Sequence, residues 1–205
     1  MNYTDERFAD LQMLRYKLSG FEDLSLKQKI YIYYLAKATL AGRDITFEQF
    51  GKYNLKIRKV LEAIYLNYTG DRDNDEFKSL VVYLKRVWFS SGIHHHYGCN
   101  KFVPEFTREF FINAFGSLSD SQLGINEAED RDALLNELLP VIFDADVMPK
   151  RVNQADGADL IKTSACNYYD GVDQSEVEQF YAKQKDPDDK RPVSYGLNTK
   201  LVKQD

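Results

Sequence analysis

Phe77, Leu80, Val81, Leu84, Val87 and Trp88 recur every three or four residues, a spacing that gathers apolar side chains on one face of an α-helix and on no single face of a strand. This predicts a helix over residues 75–90, and the pattern recurs along the chain. Over residues 55–68, Leu55, Ile57, Val60, Leu61, Ile64, Tyr65 and Tyr68 oppose Lys56, Arg58, Lys59 and Glu62, which predicts a second amphipathic helix. Ser25-Leu26-Lys27-Gln28 and Asp173-Gln174-Ser175-Glu176 place a short oxygen-bearing side chain three residues before Gln or Glu. In that arrangement each side chain satisfies a free backbone N–H of the other end of the first turn. They predict helices over residues 26–41, ended by Gly42, and from about 174 to 185, stopping at Asp186-Pro187. Two more are expected over residues 105–115, with Pro104 in the first turn, and over 130–143, broken or kinked at Pro140.

Within the first of these helices, Ile30-Tyr31-Ile32-Tyr33-Tyr34-Leu35-Ala36 is apolar almost all round and so reads as surrounded by neighbours. Strand signals are few. Leu14-Arg15-Tyr16-Lys17-Leu18 alternates as extended structure, and so does the end of residues 191–203. A terminal strand there needs a partner, which would be residues 14–18 or would leave an exposed edge open to self-association. The expectation is a mainly α protein, residues 1–205 forming a single helical domain with a few short β-strands. The acidic turn Gly70-Asp71-Arg72-Asp73-Asn74-Asp75 lacks the Gly and the Glu that a calcium loop needs at its sixth and twelfth positions, so it reads as a solvated turn.

Composition narrows the function classes. A formal net charge of −5 argues against a phosphate-tracking surface, because nucleic-acid affinity rests on Lys and Arg replacing counterions. No run approaches the ~20 apolar residues of a membrane span. The opening Met-Asn-Tyr-Thr-Asp-Glu-Arg lacks the basic-then-apolar order of a signal peptide. The expected setting is cytoplasmic, without nucleic acid or membrane. Cys99 and Cys166 have no CxxC partner and read as two free, partly buried thiols rather than a disulfide.

Chemistry concentrates in Val-Trp-Phe-Ser-Ser-Gly-Ile-His-His-His-Tyr-Gly-Cys-Asn-Lys-Phe-Val-Pro-Glu-Phe, residues 87–106. That stretch holds the sole Trp, all three His and one of the two Cys on a segment that must turn at Gly92, Gly98 and Pro104. His94, His95, His96 and Tyr97 are the candidate binding residues. Adjacent histidines cannot all face one ion on a helix. On a strand His94 and His96 would share a face, but zinc would still need Cys99 or a distant carboxylate, and no HExxH occurs. Three roles stay open for the histidines: hydrogen-bonding a ligand, holding the loop's shape, and ligating a metal. The spacing of His96 and Cys99 matches no cysteine-protease signature, and no catalytic or metal-ligating residue is assigned in this chain.

A set of segments carries a resemblance. Phe8-Ala9-Asp10-Leu11-Gln12 through Arg15-Tyr16 comes first, then Gly20-Phe21-Glu22-Asp23-Leu24-Ser25-Leu26-Lys27-Gln28-Lys29, Gly42-Arg43-Asp44-Ile45 and Lys52-Tyr53-Asn54-Leu55. There follow Gly92-Ile93-His94-His95-His96-Tyr97, Lys101-Phe102-Val103-Pro104, Ser164-Ala165-Cys166-Asn167 and Ser194-Tyr195-Gly196-Leu197-Asn198-Thr199-Lys200-Leu201-Val202. In this order, and over essentially the whole chain, they resemble the N-terminal part of bacterial dipeptidyl peptidase III. The resemblance implies the incomplete lower lobe of a two-lobe zinc exopeptidase that removes dipeptides from peptide N-termini across a wide cleft. In that family the zinc sits on the other lobe, on a HExxGH helix and a following Glu-rich helix, and neither motif is in this sequence.

No cofactor is therefore expected in this chain, and zinc is expected in the full-length enzyme. The implied partners are short peptides and the missing catalytic lobe. Tyr97 falls where the family lines the pocket for the N-terminal dipeptide with an aromatic residue, and His94, His95 and His96 are extended as cleft residues. The segment would position substrate and be inactive alone. The alternative is a truncated, non-catalytic helical module that binds peptides or proteins.

Overall fold

The structure, a computed structural model, describes residues 3–126, 130–191 and 199–203. The chain divides into two compact units, Met1–Thr46 and Phe47–Asp205. As expected, it is mainly helical with a few short strands.

The first unit opens with an antiparallel hairpin, β1 (Thr4–Phe8) and β2 (Leu11–Leu14), whose turn holds Ala9 at a left-handed φ of 49°. The strand expected at residues 14–18 thus lies earlier. Its register with β1 places it there: Thr4 pairs with Leu14, and Arg15 N–H donates to Tyr3 O at 2.8 Å. A 3-10 turn, Phe21–Asp23, leads to α1 (Leu26–Phe50). The predicted capping box forms there: Ser25 N–H donates to Gln28 Oε1 at 2.9 Å and Gln28 N–H to Ser25 Oγ at 3.4 Å.

Two expectations for α1 are corrected. The helix does not stop at Gly42. Glycine inside a helix costs only about 1 kcal/mol, and the residues beyond it have packing to gain: Phe47 is buried in the second unit, and the Phe50 ring takes the Arg151 guanidinium at 4.4 Å. Nor are the apolar residues 30–35 surrounded, since each is 41 to 66% exposed. A unit of 46 residues holds too little chain to wrap a helix on every side.

In the second unit, α2 (Asn54–Asn67) and α3 (Asp75–Ser90) form within a residue of expectation. They are joined by α4 (Arg108–Gly116), α5 (Asp120–Leu123), α6 (Arg131–Phe143) and α7 (Gln174–Gln184). The core is where the sequence periods converge: Ile57, Leu61 and Ile64 of α2, Leu80, Leu84 and Val87 of α3, Phe111 and Phe115 of α4, and Leu138 and Ile142 of α6. Trp88 stands on the shoulder of its face, half exposed, with its indole N–H donating to Glu62 Oε1 at 2.7 Å. The turn before α3 is capped by Asn74, whose Oδ1 accepts from Phe77 N–H at 2.7 Å. Asn74→Ala is expected to cost about 1 kcal/mol of stability, read as a lower urea midpoint with unchanged slope.

The start of α4 is three residues later than predicted, because Thr107 rather than Pro104 sets it: Thr107 Oγ1 accepts from Phe110 N–H at 3.1 Å, and Thr107 N–H is held by Glu76 Oε2 at 2.7 Å. Of the break or kink expected at Pro140, the break is absent. The helix α6 runs continuously through it, with Leu138, Leu139, Val141 and Ile142 buried around the lost hydrogen bond. Asp173 and Glu176 form the capping box of α7.

The C-terminal strand, β4 (Leu201–Val202), pairs in parallel with β3 (Tyr169–Asp170), not with residues 14–18. Leu201 N–H donates to Tyr168 O at 2.9 Å and Lys203 N–H to Asp170 O at 3.0 Å. Ion pairs Lys200–Asp170 at 2.8 Å and Lys203–Glu176 at 2.6 Å hold it. The remainder of that predicted segment, residues 192–198, lies outside the described residues. Among the described residues both sheets are two-stranded. Among the described residues no helix is long and apolar enough to cross a membrane.

Candidate functional site

At its C-terminus α3 passes through Ser91, at a left-handed φ of 54°, and Gly92, at 154°, into a narrow two-armed loop. Its arms are joined by Phe102 N–H to Ile93 O at 2.8 Å, by His95 N–H to Asn100 O at 2.8 Å, and by an antiparallel bridge between His94 and Lys101. Tyr97 and Gly98 form the tip. Residues 149–151 run beside the outer arm, with Lys101 N–H on Pro149 O at 3.0 Å and Arg151 N–H on Cys99 O at 2.9 Å. The next segment continues the array through Ala165 N–H to Lys150 O at 2.9 Å and Cys166 N–H to Arg151 O at 3.2 Å. Both thiols are free and half-buried, as expected, and burial raises the Cys166 pKa.

The four candidates, adjacent in sequence, part company in space. His94 is only 2% exposed, and its Nε2–H donates to Met148 O at 2.8 Å. A carbonyl can only accept, so this bond fixes the tautomer. Its Nδ1 is buried with no hydrogen-bond partner among the described residues. Burial pushes the His94 pKa down to about 4, helped by the positive charges of Lys101 and Arg151 and opposed by the bond to Met148. His94 is thus a neutral anchor beneath the loop.

His95 is a brace. Its Nδ1 accepts from Tyr97 N–H at 3.1 Å and Gly98 N–H at 3.0 Å, closing the tip as a backbone carbonyl would. The His96 ring stacks on His95 with centroids 4.4 Å apart and meets Phe89 edge-on at 4.9 Å. Tyr97 stands out, 87% exposed, its ring meeting that of His96 edge-on at 5.3 Å.

Three residues that hold this arrangement carry no signal in the local sequence. Asn54 is buried at the start of α2, and its Oδ1 accepts from Ile93 N–H at 3.3 Å. Lys101 sends its ammonium to the carbonyls of Val147, at 2.8 Å, and Asp144, and burial lowers its pKa. Arg151 donates to His96 O at 2.9 Å. Cys99 and Met148, which flank these contacts, both have left-handed φ, 58° and 52°. Such backbone persists only where surrounding bonds over-determine it.

Compared with known proteins, the chain matches no family model, and no curated protein matches it significantly. Among the described residues no group of three or more His, Cys, Asp or Glu is placed to hold a metal. Two cavities adjoin the site: one of about 130 Å³ beside Lys101, Val103 and Phe143, the other of about 330 Å³ beside Met148, Cys166 and Tyr169. Neither is lined by the three histidines or Tyr97. The chemistry on offer at the tip is that of an exposed phenol ring on a fixed support: an apolar face and one hydroxyl.

Proposed function

We propose that this chain supplies the substrate-contacting loop of a dipeptidyl-peptidase-III-like exopeptidase, with Tyr97 covering a side chain of the N-terminal dipeptide of a short peptide. The observation that carries the reading is Tyr97 itself, an aromatic ring 87% exposed at the tip of a loop whose flanking residues are all tied down. An exposed aromatic on a rigid support binds at little entropic cost. Its position agrees with the resemblance of Gly92-Ile93-His94-His95-His96-Tyr97 and Lys101-Phe102-Val103-Pro104 to that family. In this reading His94 and His95 position the loop, His96 backs the Tyr97 ring, and the setting is cytoplasmic. The residues present do not form a zinc site, so no zinc step is assigned to them, and zinc would belong to a catalytic lobe that this sequence does not contain.

A calorimetric titration of the 205-residue chain with short peptides bearing free N-termini tests the reading. Binding without release of dipeptide is expected, and Tyr97→Ala should weaken it at least tenfold with little change in Tm, since the ring is 87% exposed. Equal affinity of the Tyr97→Ala variant would overturn it. A second reading, a non-catalytic helical module for peptides or proteins, is favoured by the outward apolar residues 30–35 of α1. It takes precedence if the native protein isolated from its source binds such peptides and hydrolyses none.

A further inference from the structure

We propose that α1 is a self-association surface, on which the stripe Tyr31, Tyr34, Leu35, Ala38 and Gly42 pairs antiparallel with the same stripe of a second copy of this chain. These five residues recur at three- and four-residue spacing and so lie along one side of the helix. Tyr31, Tyr34 and Leu35 are 48 to 66% exposed. Among the described residues, nothing lies within 4 Å of where a Cβ on Gly42 would be. Three large apolar groups and an open gap thus share one side of one helix.

The order of sizes along the stripe decides the occupant. Its N-terminal half is bulky and its C-terminal half is small. Turned end for end about a two-fold axis between residues 34 and 35, a second α1 sets Tyr31 on Ala38 and Tyr34 on Leu35, so that large groups fill the small positions. The same operation brings Lys27 to Gly42, Lys29 to Leu40 and Lys37 to Ile32, and no lysine meets a lysine. A parallel copy would crowd Tyr on Tyr, leave Ala38 and Gly42 facing their own copies across a void, and oppose each lysine to itself. No Asp or Glu stands between residues 24 and 43 to relieve that repulsion, and of the three lysines Lys29 alone is ion-paired among the described residues, with Glu22 at 4.0 Å.

The area available sets the strength. A fully exposed aromatic side chain presents about 200 Å², so the exposed parts of the stripe and its flanks come to about 500 Å² per copy. The pair then buries about 1,000 Å², the low end for a specific interface, and the dimer is weak, with a Kd of about 10–100 µM. The surface is argued from α1 alone and does not depend on the role of Tyr97.

Sedimentation equilibrium of the 205-residue chain from about 1 to about 500 µM tests it. The average mass should rise from one chain toward two and stop there. Tyr34→Glu combined with Leu35→Glu, both at exposed positions, should weaken the association at least thirtyfold while the far-UV helix signal is kept. Cross-linking in a glutathione redox buffer reads the direction, against the background that Cys99 and Cys166 give in the unaltered chain. Tyr34→Cys, beside the axis, should link two chains, whereas Lys27→Cys, about 22 Å from its own copy along the helix, should not. A chain that stays single throughout, the result expected if α1 instead meets a different protein or a lipid surface, would overturn the proposal. So would a mass that climbs past two chains, association unchanged in the double variant, or equal cross-linking at the two cysteine positions.

Discussion

Gly92→Ala is expected to destabilise the second unit by about 3 kcal/mol or more, read from the urea midpoint and an unchanged slope. A Cβ on Gly92 would lie 2.3 Å from Asn54 Nδ2 and 2.7 Å from its Cγ, at a backbone φ of 154° that side chains rarely adopt. Asn54 has nowhere to retreat, because it is buried and its amide also lies 2.8 Å from where a Cβ on Gly51 would be. Three penalties add: overpacking at about 1–3 kcal/mol, backbone strain at about 1–3 kcal/mol, and the Ile93 N–H losing its acceptor in the core at about 1–3 kcal/mol. A loss below about 1 kcal/mol would show that the loop does not depend on this contact.

Acid should loosen the same loop through His94. Its folded pKa of about 4 lies below the ordinary 6.5, so between those values the unfolded chain binds the proton and the folded chain does not. Stability is then fully present above pH 6.5 and is lost as the pH falls toward 4, by about 3 kcal/mol in all. The carboxylates of Asp170, Asp173 and Glu176, held below their usual range by hydrogen bonds and lysines, lose their contribution chiefly below that window. His94→Asn, whose amide can still donate to Met148 O, is expected to be flat between pH 6.5 and 4.5 once the carboxylate background common to both proteins is subtracted. An identical slope in the two proteins would assign the acid sensitivity elsewhere.

Where apolar residues repeat at helical spacing and one face is covered, sequence and structure agree closely, as in α2 and α3. The agreement fails where spacing is silent about cover. Residues 30–35 announce a helix that wants neighbours on all sides, yet nothing in their order says how much chain the unit has to provide them. The strand β1, Thr-Asp-Glu-Arg-Phe, shows no alternation because both its faces are wet. The histidine loop was visible by composition, but its division of labour was not. Four adjacent residues became an anchor, a brace, a backing ring and an exposed tip because Met148, Arg151 and Asn54, distant in sequence, chose among them.

That distance has a temporal side. Met148 and Arg151 follow their partners His94 and His96 by 54 and 55 positions. During vectorial synthesis the loop therefore leaves the ribosome well before either of these contacts exists. Until then it is held by earlier residues, among them Asn54, 39 residues upstream of Ile93, and Phe89 against the His96 ring, and by its own turn. The helices around it can condense early, whereas the tyrosine is presented in its final pose only after residue 151 has emerged.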